Sequence, residues 1–348
     1  MSSQEESSKS RPMNVVTAKG SKAEKSYRAR AGLPAGAKLQ PEAIAPGLHP
    51  TPKHNLVFHG GKTIQNLTFT NFFVGGPNSW KTSDIQNIDK ALAAAMSDKN
   101  LNNVMVQYFN NQPITSTFKP SQILAGAKPA VFSQGDVERL VTQLQQQGKL
   151  NGFNLGSTVF NFMLPSGTVL NADAAPTNTA TTHPVQSAAA AHNPVHPEEE
   201  DSSLEGLGGY HGSVHITPQV TVYYAVGVFS ERRPDGTENG IVAFNEPWKN
   251  IVATFYHELN EARTDADVED AIKAGNDPNG ARFLGWVSRQ GEECGDFPMS
   301  EVGPALNLIM KEVPLTSGGG TVPVQFQYSN AVKGPEGPIP APHPLPAH

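Results

Sequence analysis

From Val220 to Val228 the chain sets Val220, Val222, Tyr224, Val226 and Val228 on alternate positions, the period of a β-strand that turns one face to a core. Pro234-Asp235-Gly236 then turns the chain, and Ile241, Val242 and Phe244 lead to Asn245, the expected N-cap of a helix with Pro247 in its first turn. Ile251, Val252, Phe255, Tyr256 and Leu259 give that helix an apolar side, which predicts burial against a sheet over much of its length. A strand, a turn and a sheet-packed helix need further strands beside them, so the unit restricts the chain to a mixed α/β architecture.

The upstream residues supply those strands. Ile64, Leu67, Phe69, Phe72, Phe73 and Val74 make a β-rich run that ends at Gly75-Gly76-Pro77. Ser83 with Gln86 has the spacing of a capping box, and Ile85, Ile88, Leu92 and Met96 recur at helical spacing. Val104, Val106, Tyr108 and Phe109 read as a strand. Ser133 with Asp136 opens a second helix, on which Val137, Leu140, Val141 and Leu144 share a face and which Gly148 closes. Val159 to Leu164, the turn Pro165-Ser166-Gly167 and Thr168 to Leu170 read as a strand and the start of a hairpin. The β-α-β-α-β order predicts an α/β (α+β) fold, one sheet packed on two or three helices.

Three stretches do not fit a core. Residues 1–53 are rich in Ser, Lys, Pro, Gly and Ala, residues 172–209 are Ala, Thr, Pro and acidic residues with few large side chains, and residues 333–348 are a Pro-rich run of polyproline character. They are expected to be two disordered tails and one flexible insert, leaving residues 54–332 as a single domain. A net charge of −6 gives no field that would draw a nucleic-acid backbone or an anionic membrane, so neither is an expected partner. Cys294 is the only cysteine, which rules out an internal disulfide. The first 25 residues carry no apolar stretch of a secretory signal, so the expected setting is intracellular, or export by another route.

The chemistry is concentrated on the helix after the strong strand. His257 and Glu261 are four apart and stand one turn above the other, with Glu258 beside them. This H-E-x-x-E string is the metalloprotease H-E-x-x-H motif with glutamate as the last ligand, and zinc accepts carboxylate in mixed sites. The outer two residues would hold the ion, and Glu258 would take a proton from water and pass it to the leaving group. A third ligand must come from elsewhere. Asp267 sits ten residues after His257, where extended motifs of this kind place their last ligand, although Thr264 stands where those motifs have glycine. The acidic loop Gly291-Glu292-Glu293-Cys294-Gly295-Asp296 is the other source, with Asp296 ahead of Glu293. His211, in Gly209-Tyr210-His211-Gly212-Ser213, would serve as fourth ligand or transition-state donor, against the alternative of an ordinary turn histidine.

Other residues carry less. His183, His192 and His196 fall in the insert, Asn66-Leu67-Thr68 reads as strand sequence as much as a glycosylation sequon, and Cys294 has no histidine near it in sequence. Asp265, Asp267, Glu269 and Asp270 are acidic enough for calcium but lack the spacing of the common loop.

Several strings together resemble the exordium or phosphate-induced protein family of plants and its bacterial relatives. They are Phe58-His59-Gly60-Gly61, Gly209-Tyr210-His211, His257-Glu258-Leu259 with Glu261-Ala262 and Thr264-Asp265, Gly285-Trp286, Glu293 with Gly295-Asp296, and Gln327-Tyr328-Ser329-Asn330. The resemblance spans roughly residues 56 to 332. It implies a zincin-like α/β domain with His257, Glu261 and the Glu293 to Asp296 loop at a shared site. The expectation is therefore a zinc-dependent hydrolase acting on a peptide or protein, against a binding or structural protein whose site only stabilises the fold.

Overall fold

The computed structural model describes residues 15–18, 21–23, 25, 48, 51, 54–172, 202–274, 277, 279–302 and 305–339. Its centre is a mixed sheet of six strands: β1 (Val15–Thr17), β2 (Asn66–Phe73), β3 (Thr115–Ile123), β4 (Thr158–Leu164), β5 (Leu207–Thr217) and β6 (Val220–Val228). They run in the order β1-β5-β6-β4-β2-β3. The pairs from β6 to β3 are parallel, whereas β5 lies antiparallel to β6 and β1 antiparallel to β5.

Helices cover both faces. Ile88 and Leu92 of α1 (Thr82–Ser97) and Ile251, Phe255 and Leu259 of α3 (Pro247–Thr264) pack with Leu67, Phe69, Val159 and Ala225 on one side. Val137, Val141 and Leu144 of α2 (Gln134–Gln146) pack with Phe72, Phe160, Phe162 and Val226 on the other. Strand β4 is buried along its whole length, which is why it reads as an apolar run without alternation. Each large apolar side chain so enclosed contributes roughly 1.5–3 kcal/mol. Two short helices, α4 (Val268–Ala274) and α5 (Asp296–Val302), and a ribbon of β7 (Met310–Pro314) and β8 (Thr321–Gln325) complete the frame around α3. No helix among the described residues is long and apolar enough to cross a membrane.

The α/β layering and both early helices are as expected, and several local expectations are corrected. Leu101–Phe109 is a 3₁₀ helix rather than a strand: Asp98 Oδ1 accepts from the amides of Asn100 and Leu101, and Asn102 Nδ2 binds back to Ala95 O and Asp98 O. These local bonds outcompete a ladder. Strand β3 was not expected, because its side chains are mostly exposed and polar and it contains Pro120; proline is tolerated there because β3 is the sheet edge. Val169–Leu170 does not fold back on β4 but pairs in parallel with Val131–Phe132. The Ser83–Gln86 box does not form, since α1 is capped at Lys81 without a side-chain bond, whereas the Ser133–Asp136 box does. The N-cap of α3 is Glu246, not Asn245; Asn250 instead takes the amides of Ala243 and Phe244 on its Oδ1.

Parts of the expected tails and insert are structured: Val15–Thr17 pairs with β5, Ser203–Glu205 is a 3₁₀ turn and β5 begins at Leu207 rather than Tyr210, and Gly334–Glu336 pairs with Gln327–Ser329. Residues 173–201, with His183, His192 and His196, lie outside the described residues.

Candidate metal centre

Helix α3 is buried from Asn250 to Thr264, so its polar side chains face protein on every side. On one side His257 Nε2 lies 2.9 Å from Glu261 Oε2 and 3.7 Å from Asp296 Oδ1. His257, Glu261 and Asp296 each bring a ligand atom within 4.8 Å of the others. Two atoms bound at about 2.1 Å to one tetrahedral ion stand about 3.4 Å apart, so the observed separations bracket what zinc requires.

The hydrogen bonds around these atoms are made away from the gap between them. Gln325 Nε2 donates to Gly295 O at 2.7 Å, which turns its Oε1 toward His257 Nδ1 at 2.9 Å. Nδ1 must then carry a proton, and Nε2 faces Glu261 and Asp296. Glu261 Oε1 accepts from the amides of Gly295 and Asp296 at 3.0 and 2.9 Å, while Oε2 faces the gap. His257 Nε2, Glu261 Oε2 and Asp296 Oδ2 have no hydrogen-bond partner although all three side chains are buried; the 2.9 Å approach of Nε2 to Oε2 is not aligned as a hydrogen bond. Buried polar atoms are rarely left so. The donors thus suit zinc in type, number and spacing.

The loop reaches the helix because residue 295 is glycine. A Cβ there would stand within 2.8 Å of Nδ1, Cε1 and Cγ of the His257 ring, closer than contact allows.

Electrostatics follow from the enclosure. Burial alone would lower the His257 pKa, but the Glu261 carboxylate and Asp296 beside it hold the imidazole above its ordinary value. Burial would raise Glu261, yet His257, His211 and the Asp296 amide bring it below the usual range. Burial, with Glu261 as the nearest like charge, pushes Asp296 and Glu293 well up. Burial pushes Glu258 up to about 8 against the opposing hydrogen bond from His211, with Glu261 adding to the rise.

Glu258 faces β5, where His211 Nδ1 lies 3.2 Å from its Oε2; its Oε1 has no partner. His211 Nε2 is 3.3 Å from Asp265 O and 3.7 Å from Glu293 Oε1. His211 Nδ1 is also 3.8 Å from Glu261 Oε2, so His211 groups with Glu261 and Glu293 in a second cluster that shares Glu261 with the first. Glu293 likewise stands in the second group, and Asp296 in the first.

Asp267 joins neither. Helix α3 ends at Thr264, and Asp265 accepts the Gly285 amide at 2.6 Å, which turns the chain so that Asp267 takes the Tyr223 hydroxyl at 2.9 Å. The acidic run does not converge for calcium either: Glu269 takes the Ser213 amide and Asp270 pairs with His215. Burial pushes the Cys294 thiol well up, and it sits against Thr264 Oγ1 and Gln327 Oε1, which is a packing role. Asn66-Leu67-Thr68 is the start of β2.

Gln325 is the site residue that sequence reading missed. Its signal was a pair of glutamines, Gln325 and Gln327, in the otherwise apolar run Val322 to Tyr328, where buried amides need partners. The chain matches no protein-family model, no curated protein and no solved structure with which it was compared.

Proposed function

We propose that the chain is a zincin-type metal-dependent hydrolase acting on a peptide or protein, with zinc held by His257, Glu261 and Asp296 and with Glu258 as general base. The observation that carries this reading is the donor set: one imidazole and two carboxylates, with no fourth protein donor in their group among the described residues. Structural zinc sites close with four protein ligands, mostly thiolates, whereas catalytic ones keep three and leave a position for the reactants. A bound zinc would supply Lewis acidity toward a carbonyl and toward water.

Glu258 then moves the proton. Its Oε1 is unpartnered, and a carboxyl pushed up to about 8 is matched to taking and returning a proton near neutral pH. His211 acts as a positioning residue, holding the other oxygen. The antiparallel β5 beside the H-E-x-x-E helix is in keeping with the zincin-like domain that the exordium-family resemblance implies.

A second reading is favoured by the burial. His257, Glu258, Glu261 and Glu293 are 0% exposed and Asp296 4%, as befits a closed centre that only pins the loop to α3. Zinc content and turnover of a quenched fluorescent peptide library, measured on wild type and Glu258→Gln, separate the two. A hydrolase keeps its ion in the variant and loses at least about 100-fold in rate. Zinc bound by an inactive wild type selects the closed centre, and a wild type that binds no zinc sinks both.

A further inference from the structure

We infer that a second divalent cation binds beside the first, between His211, Glu293 and Glu261, with Glu261 shared by the two ions. The inference rests on the metal-binding reading above and adds a site to it.

His211, Glu261 and Glu293 form their own group of ligand atoms within 4.8 Å, distinct from the His257 group. The His211 ring is set as a ligand's ring. Its Nδ1 lies 3.2 Å from Glu258 Oε2 and 3.8 Å from Glu261 Oε2, and its Nε2 lies 3.3 Å from Asp265 O and 3.7 Å from Glu293 Oε1. A carboxylate behind the imidazole is the usual support of a metal-bound histidine.

Glu293 is the independent observation. Its side chain is 0% exposed, and neither oxygen has a hydrogen-bond partner. A proton on His211 Nε2 would satisfy Asp265 O and still leave Glu293 unpartnered. Glu258, Glu261, Asp265, Glu293 and Asp296 are all buried, so the enclosed carboxyl oxygens outnumber the donors of the two imidazoles, His211 and His257. Nitrogen with carboxylate and carbonyl oxygen suits zinc or a neighbouring first-row divalent ion.

The test counts ions on the full chain. Protein stripped by a chelator, dialysed against zinc and washed is expected to hold two zinc per chain by mass spectrometry, and Glu293→Gln is expected to hold one. One zinc in wild type, or an unchanged count in Glu293→Gln, overturns the second site and leaves the first standing; no zinc in wild type overturns both. Should Glu293→Gln not fold, X-ray absorption of zinc-loaded wild type decides. A zinc–zinc feature at about 3.5–4 Å is expected for a carboxylate-bridged pair, and its absence overturns the inference.

Discussion

Gln325 accepts the Nδ1 proton of His257 at 2.9 Å while its own amide nitrogen is held by Gly295 O at 2.7 Å, so one side chain sets the imidazole tautomer and the loop position together. Metal sites depend on such supports about as much as on their ligands. Gln325→Leu is expected to weaken zinc binding by roughly 10–100-fold, read by competition with a chromophoric chelator. Unchanged affinity would mean that the ring is held by its packing alone.

The third ligand is decided by two parallel substitutions. Asp296→Asn is expected to lose the first ion, because Asp296 shares the gap with His257 and Glu261, and Asp267→Asn to keep it, because Asp267 bonds to Tyr223. The reverse result would restore the extended helix motif.

Gly295→Ala presses a methyl group against the His257 ring, so either ring or loop must move. Overpacking of this kind costs about 1–3 kcal/mol, measurable as a lower denaturation midpoint in urea. Zinc affinity is expected to fall with it. Full stability together with full affinity would show that the loop is not clamped as described.

Removing the ion should reverse the usual effect of pH. Burial raises Glu258, Asp265, Glu293 and Asp296 in the metal-free chain, so the folded state binds more protons than the unfolded one. Stability from such groups is present below the unfolded carboxylate range and is lost as pH rises through the folded value, which for Glu258 is about 8. His257, raised as well, acts in the same direction, and Glu261, lowered, opposes only in the acid range. The stripped protein is therefore expected to be less stable at pH 8 than at pH 6, by about 2 kcal/mol from Glu258 with the other raised carboxyls adding in the same direction, and zinc should flatten the dependence. A stripped protein that gains stability across that window would contradict the buried cluster.

The strong β6 alternation, the apolar side of α3 and the H-E-x-x-E spacing were legible because each is a local periodicity: period two for a strand, and four residues to bring His257 above Glu261. Segments whose local bonds compete with pattern were misread, as with Leu101–Phe109 held by Asp98, and so was β3, whose edge position lets it carry polar residues and Pro120. Residue types alone left Asp267 and Asp296 as equal claimants to the third position. Only the tertiary structure separated them, because where α3 stops, how Asp265 turns the chain and how closely Gly295 lets the loop approach are long-range facts. The enclosure of five carboxyl groups, and with it the shift of their pKa values, is likewise a property of packing that no spacing along the chain encodes.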